Sequence, residues 1–205
     1  MTNQASLGPV QVGRFTIAPP WAINADAASD LIVIQIQPSM GFGTGHHAST
    51  RLCLRLLQEG SLAGAEVLDV GTGSGVLAIA AARLGAAGVL AIDHDPDALI
   101  SARENIALND VGSTVRIAQV DLTDPQAPGL EPQAFDLIVA NLTGATLRAH
   151  VDGLTSLLRA GGRIIASGFG LDETDGVEAA FAAAALRLTA RVEEDGWAAV
   201  GCLRP

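Results

Sequence analysis

Three glycines at alternate positions in Asp69-Val70-Gly71-Thr72-Gly73-Ser74-Gly75, set between two apolar runs, form the stretch of this chain whose residue types best fit a chemical task. A backbone without Cβ atoms turns tightly and lets a ligand come close, and a turn of this kind between a strand and a helix is where nucleotides are held. Asp93 follows Gly71 by 22 positions, the separation at which a carboxylate reaches ribose hydroxyls. The pair points to a ribose-containing ligand.

Which ligand is open on spacing alone. Gly73-Ser74-Gly75-Val76-Leu77-Ala78 also satisfies the dinucleotide pattern with alanine last, so a nicotinamide-dependent oxidoreductase is one reading. A pyrophosphate, however, is best held at a helix N-terminus free of negative charge. Asp69, just ahead of the glycines, opposes it and suits a ligand with an ammonium and a sulfonium group, such as S-adenosylmethionine.

For these residues to converge, the elements around them must deliver them to one edge of a sheet. Residues 12–18 and 31–37, rich in β-branched and apolar types, predict two strands, followed by a glycine-rich loop from Pro38 to His47 and a helix over 48–59. From residue 66 the pattern is regular. Strands over 66–70, 88–93, 114–120, 135–140 and 163–167 alternate with helices over 75–84, 96–108, 144–158 and 172–185. Such alternation predicts a parallel sheet with helices on both faces, and a ligand crevice at the carboxyl ends of its strands. Asp95 and Pro96 suit the N-cap and first turn of the helix over 96–108. Residues 188–193 and 197–203 flank Glu194-Asp195-Gly196 and predict a terminal antiparallel hairpin.

Composition narrows the function classes. The chain has 205 residues, 49% hydrophobic and 17% charged, which fits one folded domain rather than disorder. A formal charge of −10 argues against nucleic acid or an anionic membrane as partner, because binding to polyanions draws on Lys and Arg. Apolar runs are far shorter than the roughly 20 residues of a membrane-spanning helix. No secretory leader is legible at the N-terminus, and two cysteines, Cys53 and Cys202, are too few for a disulfide framework, so the cytoplasm is the expected compartment. Both are read as buried thiols. Adjacent His46 and His47 diverge and lack partners at ligand spacing, so no metal site is expected. Trp21 and Trp197 are both suited to line a substrate mouth, packing under the sheet being the favoured reading for Trp197, and Asp121 is suited to cap a helix or turn.

The segment from Asp69 to Ala81 resembles the first motif of class I S-adenosylmethionine-dependent methyltransferases. Gly41-Phe42-Gly43-Thr44-Gly45-His46-His47-Ala48-Ser49-Thr50-Arg51-Leu52 is similar to a more restrictive signature, that of the PrmA family of ribosomal-protein methyltransferases. Pro19-Pro20-Trp21, Ala91 to Pro96, Ala102 to Asn105, Phe135 to Leu142 and Gly161 to Arg163 continue the resemblance over roughly residues 19–203.

The resemblance implies a Rossmann-like, doubly wound, mostly parallel seven-stranded sheet over residues 41–205, with a C-terminal antiparallel hairpin and an N-terminal β extension over residues 1–40. It implies S-adenosylmethionine as cofactor, contacted by Thr50, Gly71, Gly73, Asp93 and Asn141, with residues 41–47 folded over its methionine part, Asp121 a further candidate for the adenine pocket and Trp21 the favoured candidate for a site wall. Asn141 is the expected catalytic residue. Its side-chain carbonyl, with the Leu142 backbone carbonyl, is suited to accept hydrogen bonds from an amine and aim its lone pair. The implied reaction is methyl transfer to a protein amine, a lysine side chain or an α-amine, of a ribosomal large-subunit protein. About 20 residues precede Pro19, too few for the family's N-terminal recognition domain, and this brings in relatives that methylate the electron-transfer flavoprotein β-subunit. A small-molecule methyltransferase is the other open alternative. Oligomeric state is not legible.

Overall fold

In the computed structural model, residues 8–23, 31–37, 45–122 and 130–205 are described. Ten strands and five helices follow in order: β1 (Val10–Val12), β2 (Phe15–Ala18), β3 (Ile32–Gln35), α1 (Ala48–Leu57), β4 (Glu66–Val70), α2 (Val76–Arg83), β5 (Gly88–Asp93), α3 (Pro96–Leu108), β6 (Val115–Gln119), β7 (Phe135–Asn141), α4 (Gly144–Leu157), β8 (Leu158–Gly170), α5 (Thr174–Ala183), β9 (Arg187–Glu194) and β10 (Trp197–Leu203). Seven strands form the main sheet in the order β6-β5-β4-β7-β8-β10-β9. β6 through β8 run parallel, and β10 is antiparallel to both β8 and β9. No helix among the described residues is long and apolar enough to cross a membrane.

Alternation along the central strands sends residues to opposite faces. Val67, Ala91, Val139 and Ile165 meet apolar residues of α1, α2 and α3 in one core. Leu68, Ile92, Ile138 and Ile164 meet residues of α4 and α5 in the other. Strand order reverses between β4 and β7, so the chain leaves these two neighbours toward opposite edges of the sheet. That boundary is where an open α/β sheet leaves a crevice above its strand ends.

Local signals account for most element ends. Asp95 accepts a hydrogen bond from Asp97 N–H at 2.9 Å and caps α3, with Pro96 in its first turn. Asp195 and Gly196 take left-handed backbone angles, φ 50° and 82°, giving the tight turn that the β9–β10 hairpin requires. Two predicted elements differ. The strand expected over 12–18 is broken into β1 and β2 by a turn at Gly13 and Arg14, because the Gln58 side chain accepts from Arg14 N–H at 2.7 Å and donates to Val12 O at 3.1 Å. β8 is longer at both ends than the expected 163–167, since it pairs on one side with β7 and on the other with β10.

The three-stranded N-terminal sheet packs its Phe15, Ile17 and Ile34 into the same core as α1 and α2. Two buried asparagines one turn apart, Asn105 in α3 and Asn109 at its C-cap, close its outer edge. Asn109 accepts from Gln35 N–H at 2.9 Å and donates to Gln35 O at 2.7 Å, while Asn105 accepts from Gln37 N–H at 2.8 Å. Side-chain amides here take the place of a neighbouring strand. Replacing Asn109 by Ala strands the Gln35 N–H and C=O and is expected to lower unfolding free energy by roughly 2 kcal/mol. Chemical denaturation checks this, and an unchanged midpoint would show that the edge needs no such closure.

Candidate active site

The glycine loop leaves β4 with Gly71, Gly73 and Gly75 all at positive φ (69°, 54° and 83°). A Cβ at Gly71 would stand 2.5 Å from Leu142 Cδ2 across the β4–β7 boundary, a side-chain end free to turn aside, so it is the left-handed backbone that calls for glycine there. Three side chains pin the loop. Asp93 Oδ2 accepts from Gly73 N–H at 3.0 Å, its Oδ1 accepting from Asp95 N–H at 3.1 Å. Asn105 donates to Ser74 O at 2.8 Å, so the residue that closes the N-terminal sheet also holds the loop. From beneath, Asp69 Oδ2 accepts from Thr72 Oγ1–H at 2.7 Å and from Ala78 N–H at 3.1 Å.

Above the loop lies a cavity of about 800 Å3, within the ~300–1,000 Å3 typical of small-molecule sites. Thr50, Gly71, Gly73, Asp93 and Asn141 all line it. At its other end α1 begins with His47 as N-cap, accepting from Ser49 N–H, and the His47 ring meets the edge of Trp197 at 4.5 Å between centroids. Thr50 is buried one turn into α1, and Asn141 Nδ2 donates to its Oγ1 at 3.3 Å. Arg51 ties this corner together. It pairs with Glu194 at 2.6 Å and Asp195 at 2.7 Å on the β9–β10 turn and also donates to His46 O.

Several sequence expectations change. Asp69 does not face the ligand space: it is buried under the loop, outside the cavity lining, and acts as a brace. The negative charge at the cavity comes instead from Asp93, Asp95 and Asp97, and no arginine is among the described lining residues. Of the two tryptophans suited to a substrate mouth, it is Trp197, for which packing under the sheet is the favoured reading from sequence, that lines the cavity, whereas Trp21, the favoured site wall, is 56% exposed and does not. Asp121 is exposed and outside the lining. Of the 41–47 segment, residues 41–44 lie outside the described residues. Cys53 and Cys202 are buried thiols, and burial pushes Cys202 up to about 12.

Sequence reading passed over the roles of Asn105, Arg51 and Gly168. Asn105 and Arg51 stand inside motifs already singled out, but their partners are 31 and 143 positions away in the chain. Only the second glycine of Ser167-Gly168-Phe169-Gly170, at φ 76° negative, is ordinary extended backbone; Gly168, at φ 94°, is not.

This sheet order, with an antiparallel hairpin at one edge and a glycine loop at the strand-order reversal, defines a class I methyltransferase fold. A TehB-like SAM-dependent methyltransferase from Corynebacterium glutamicum shares that fold at TM-score 0.59 and 20% identity, covering 75% of this chain and 87% of the other. A ribosomal protein L11 methylase from Lactobacillus delbrueckii subsp. bulgaricus superposes at TM-score 0.87 and 30% identity, covering 97% of this chain and 99% of the other. The profile of the family described as Ribosomal protein L11 methyltransferase (PrmA) matches residues 1–204, and the chain belongs to that family. A ribosomal protein L11 methyltransferase from Symbiobacterium thermophilum is 42% identical over 98% of this chain, which spans 64% of the length of that relative.

Asp69 gives the site a pH dependence. Burial raises its carboxyl from 3.8 to about 6, against the pull of Thr72 and Ala78 toward the ionised form. A carboxyl raised on folding stabilises the fold fully below its unfolded value and loses that contribution as pH rises through 6; a shift of this size is worth on the order of 3 kcal/mol. Stability should therefore fall between pH 4 and pH 6 from this group. Asp69→Asn is expected to flatten that fall in thermal unfolding measured across the interval; an unchanged slope would remove Asp69 as its source.

Proposed function

We propose that this chain transfers the methyl group of S-adenosylmethionine to a protein amine, a lysine side chain or an α-amine, of ribosomal protein L11, the protein named for its relatives. One observation carries the reading. The Asn141 amide nitrogen is bonded to Thr50 Oγ1, which fixes the amide so that its carbonyl lies, with the Leu142 backbone carbonyl, beside Gly168 on the cavity wall.

The cavity fits the cofactor on its own terms. A cradle of left-handed glycines allows backbone approach that any Cβ would spoil. Carboxylates at Asp93, Asp95 and Asp97 with no arginine beside them suit a cationic ligand and disfavour a pyrophosphate. In this reading Gly71 and Gly73 hold the amino-acid part, Asp93 the ribose, and Thr50 the reactive end near Asn141. When bound, S-adenosylmethionine supplies an electrophilic methyl carbon on a sulfonium.

The chain's own residues then have to present a neutral amine in line with that carbon. An ammonium has no lone pair, and the apolar surfaces of Trp197 and Leu142 at this end of the cavity favour the uncharged amine by desolvation. Asn141 Oδ1 and Leu142 O each accept one N–H, which leaves the lone pair as the remaining direction. Alignment of this kind lowers a barrier by several kcal/mol, up to ~7–11 at the limit, and needs no dedicated base.

Purified protein incubated with methyl-labelled S-adenosylmethionine and recombinant L11 should place label on an L11 amine, read by mass. All twelve basic side chains of this chain are arginine, so self-labelling on lysine cannot confuse the result. Asn141→Ala is expected to keep binding of S-adenosylhomocysteine while turnover falls about 100-fold. Thr50→Val should lower turnover roughly tenfold, the value of one hydrogen bond, with Thr50→Ser restoring it. Label only on small molecules, or uptake of a nicotinamide dinucleotide in place of S-adenosylhomocysteine, would overturn the reading.

A further inference from the structure

The two carbonyls assigned to the acceptor amine share a neighbour that no sequence motif marked. Gly168 stands near the end of β8, where Ser167 pairs with Ala199 and Phe169 with Ala198 of β10. Gly168 is thus the extra residue of a β-bulge, and its φ of 94° is the left-handed backbone that such bulges use. On the other side of β8, Ser167 pairs with Asn141 at the end of β7. The bulge therefore turns the bare Cα of Gly168 toward Asn141 and Leu142 at the mouth of the cavity, which all three residues line.

A Cβ built on Gly168 measures how narrow that place is. It would lie 2.5 Å from Leu142 O and 2.9 Å from Asn141 Oδ1. Those are hydrogen-bonding distances, too short for a methyl group. Neither oxygen can easily withdraw. Leu142 N–H is bonded to Ser167 O at 2.9 Å, the next residue, Thr143, caps α4, and the Asn141 amide is held from behind by Thr50. Two rigidly backed acceptors thus lie against the bare Cα of Gly168, and a side chain at position 168 would push them away or cover them.

We propose that Gly168 is a specificity-determining residue that forms the wall of the acceptor-amine slot, its missing side chain being what lets one nitrogen reach Asn141 Oδ1 and Leu142 O at once. The proposal rests on the methyltransferase reading above and extends it to a residue on a different strand. A methyl group at this position crowds both oxygens and displaces the Leu142 carbonyl; its three nearest neighbours belong to Leu142 and Asn141, none to Asp93 or Asp69. Acceptor use and cofactor use should therefore separate. Backbone strain alone cannot imitate the effect at Gly161, which has φ 77° and open space around its Cβ direction.

The test compares wild type, Gly168→Ala and Gly161→Ala with labelled S-adenosylmethionine and recombinant L11, together with calorimetry of S-adenosylhomocysteine binding. Gly168→Ala should lose at least 100-fold in kcat/KM for L11 while its Kd for S-adenosylhomocysteine stays within about threefold of wild type. Gly161→Ala should transfer normally despite equal strain. If Gly168→Ala is too unstable to purify, Gly168→Asn repeats the comparison, because asparagine tolerates left-handed backbone better and carries the same Cβ. Transfer by a folded Gly168 variant within threefold of wild type overturns this proposal alone. A parallel loss of S-adenosylhomocysteine binding also overturns it, showing a general distortion of the site. Failure of wild type itself to label L11 overturns the methyltransferase reading and this proposal with it.

Discussion

The left-handed course of the glycine loop above the β4–β7 boundary is the constraint on which the site depends. Gly71, Gly73 and Gly75 take φ of 69°, 54° and 83°, and the cavity above them inherits that path. The loop cannot hold such a shape through its own backbone, because three left-handed residues in five are conformationally costly in isolation. It is held from outside. Asp93 on β5, Asn105 on α3 and Asp69 on β4 each bond a different part of it, at Gly73, Ser74 and Thr72, so the loop is only as well defined as the sheet and helices that carry those side chains.

Asp69 shows how a carboxylate that looks like a ligand contact becomes a structural one. One of its oxygens satisfies two donors, and the other is buried without a partner among the described residues. An ionised carboxylate in such a place is costly, which is why burial lifts its titration toward neutrality. The exchange of roles matters for electrostatics. With Asp69 withdrawn below the loop, the field inside the cavity is set by Asp93, Asp95 and Asp97. The preference for a positively charged ligand survives, but its source has moved from the start of the glycine loop to the end of β5 and the start of α3.

The opposite end of the cavity is assembled from parts far apart in the chain. Thr50 and His47 come from α1, Asn141 and Leu142 from the end of β7, Gly168 from β8, and Trp197 from β10. Arg51 clamps the β9–β10 turn to the start of α1, so the aromatic wall and the helix that carries Thr50 are fastened by one side chain. The Thr50–Asn141 bond then carries this packing to the cavity wall, since it turns the amide nitrogen toward α1 and leaves the carbonyl on the Gly168 side. Gly168 completes the arrangement through an irregularity in strand pairing rather than through a functional group.

Much of this was legible in the sequence, because the relevant signals are local. The alternation of apolar runs fixed a parallel sheet from β4 to β8; Asp95 with Pro96, and Asp195 with Gly196, carried their own capping and turn chemistry; and the spacing of Gly71, Gly73 and Asp93 brought the loop and this carboxylate to one edge of the sheet. Thr50 and Asn141 were reached only through resemblance, yet both line the cavity. What the sequence could not supply were facts about direction and distance between remote segments: that Asp69 points beneath the loop, that Trp197 rather than Trp21 meets the cavity, that Asn105 reaches Ser74, and that a bulge opens Gly168 toward two carbonyls. A residue's type and neighbours in the chain determine what its backbone can do, whereas which face it presents, and to what, is decided only when strand register and helix packing bring distant atoms within a few ångströms.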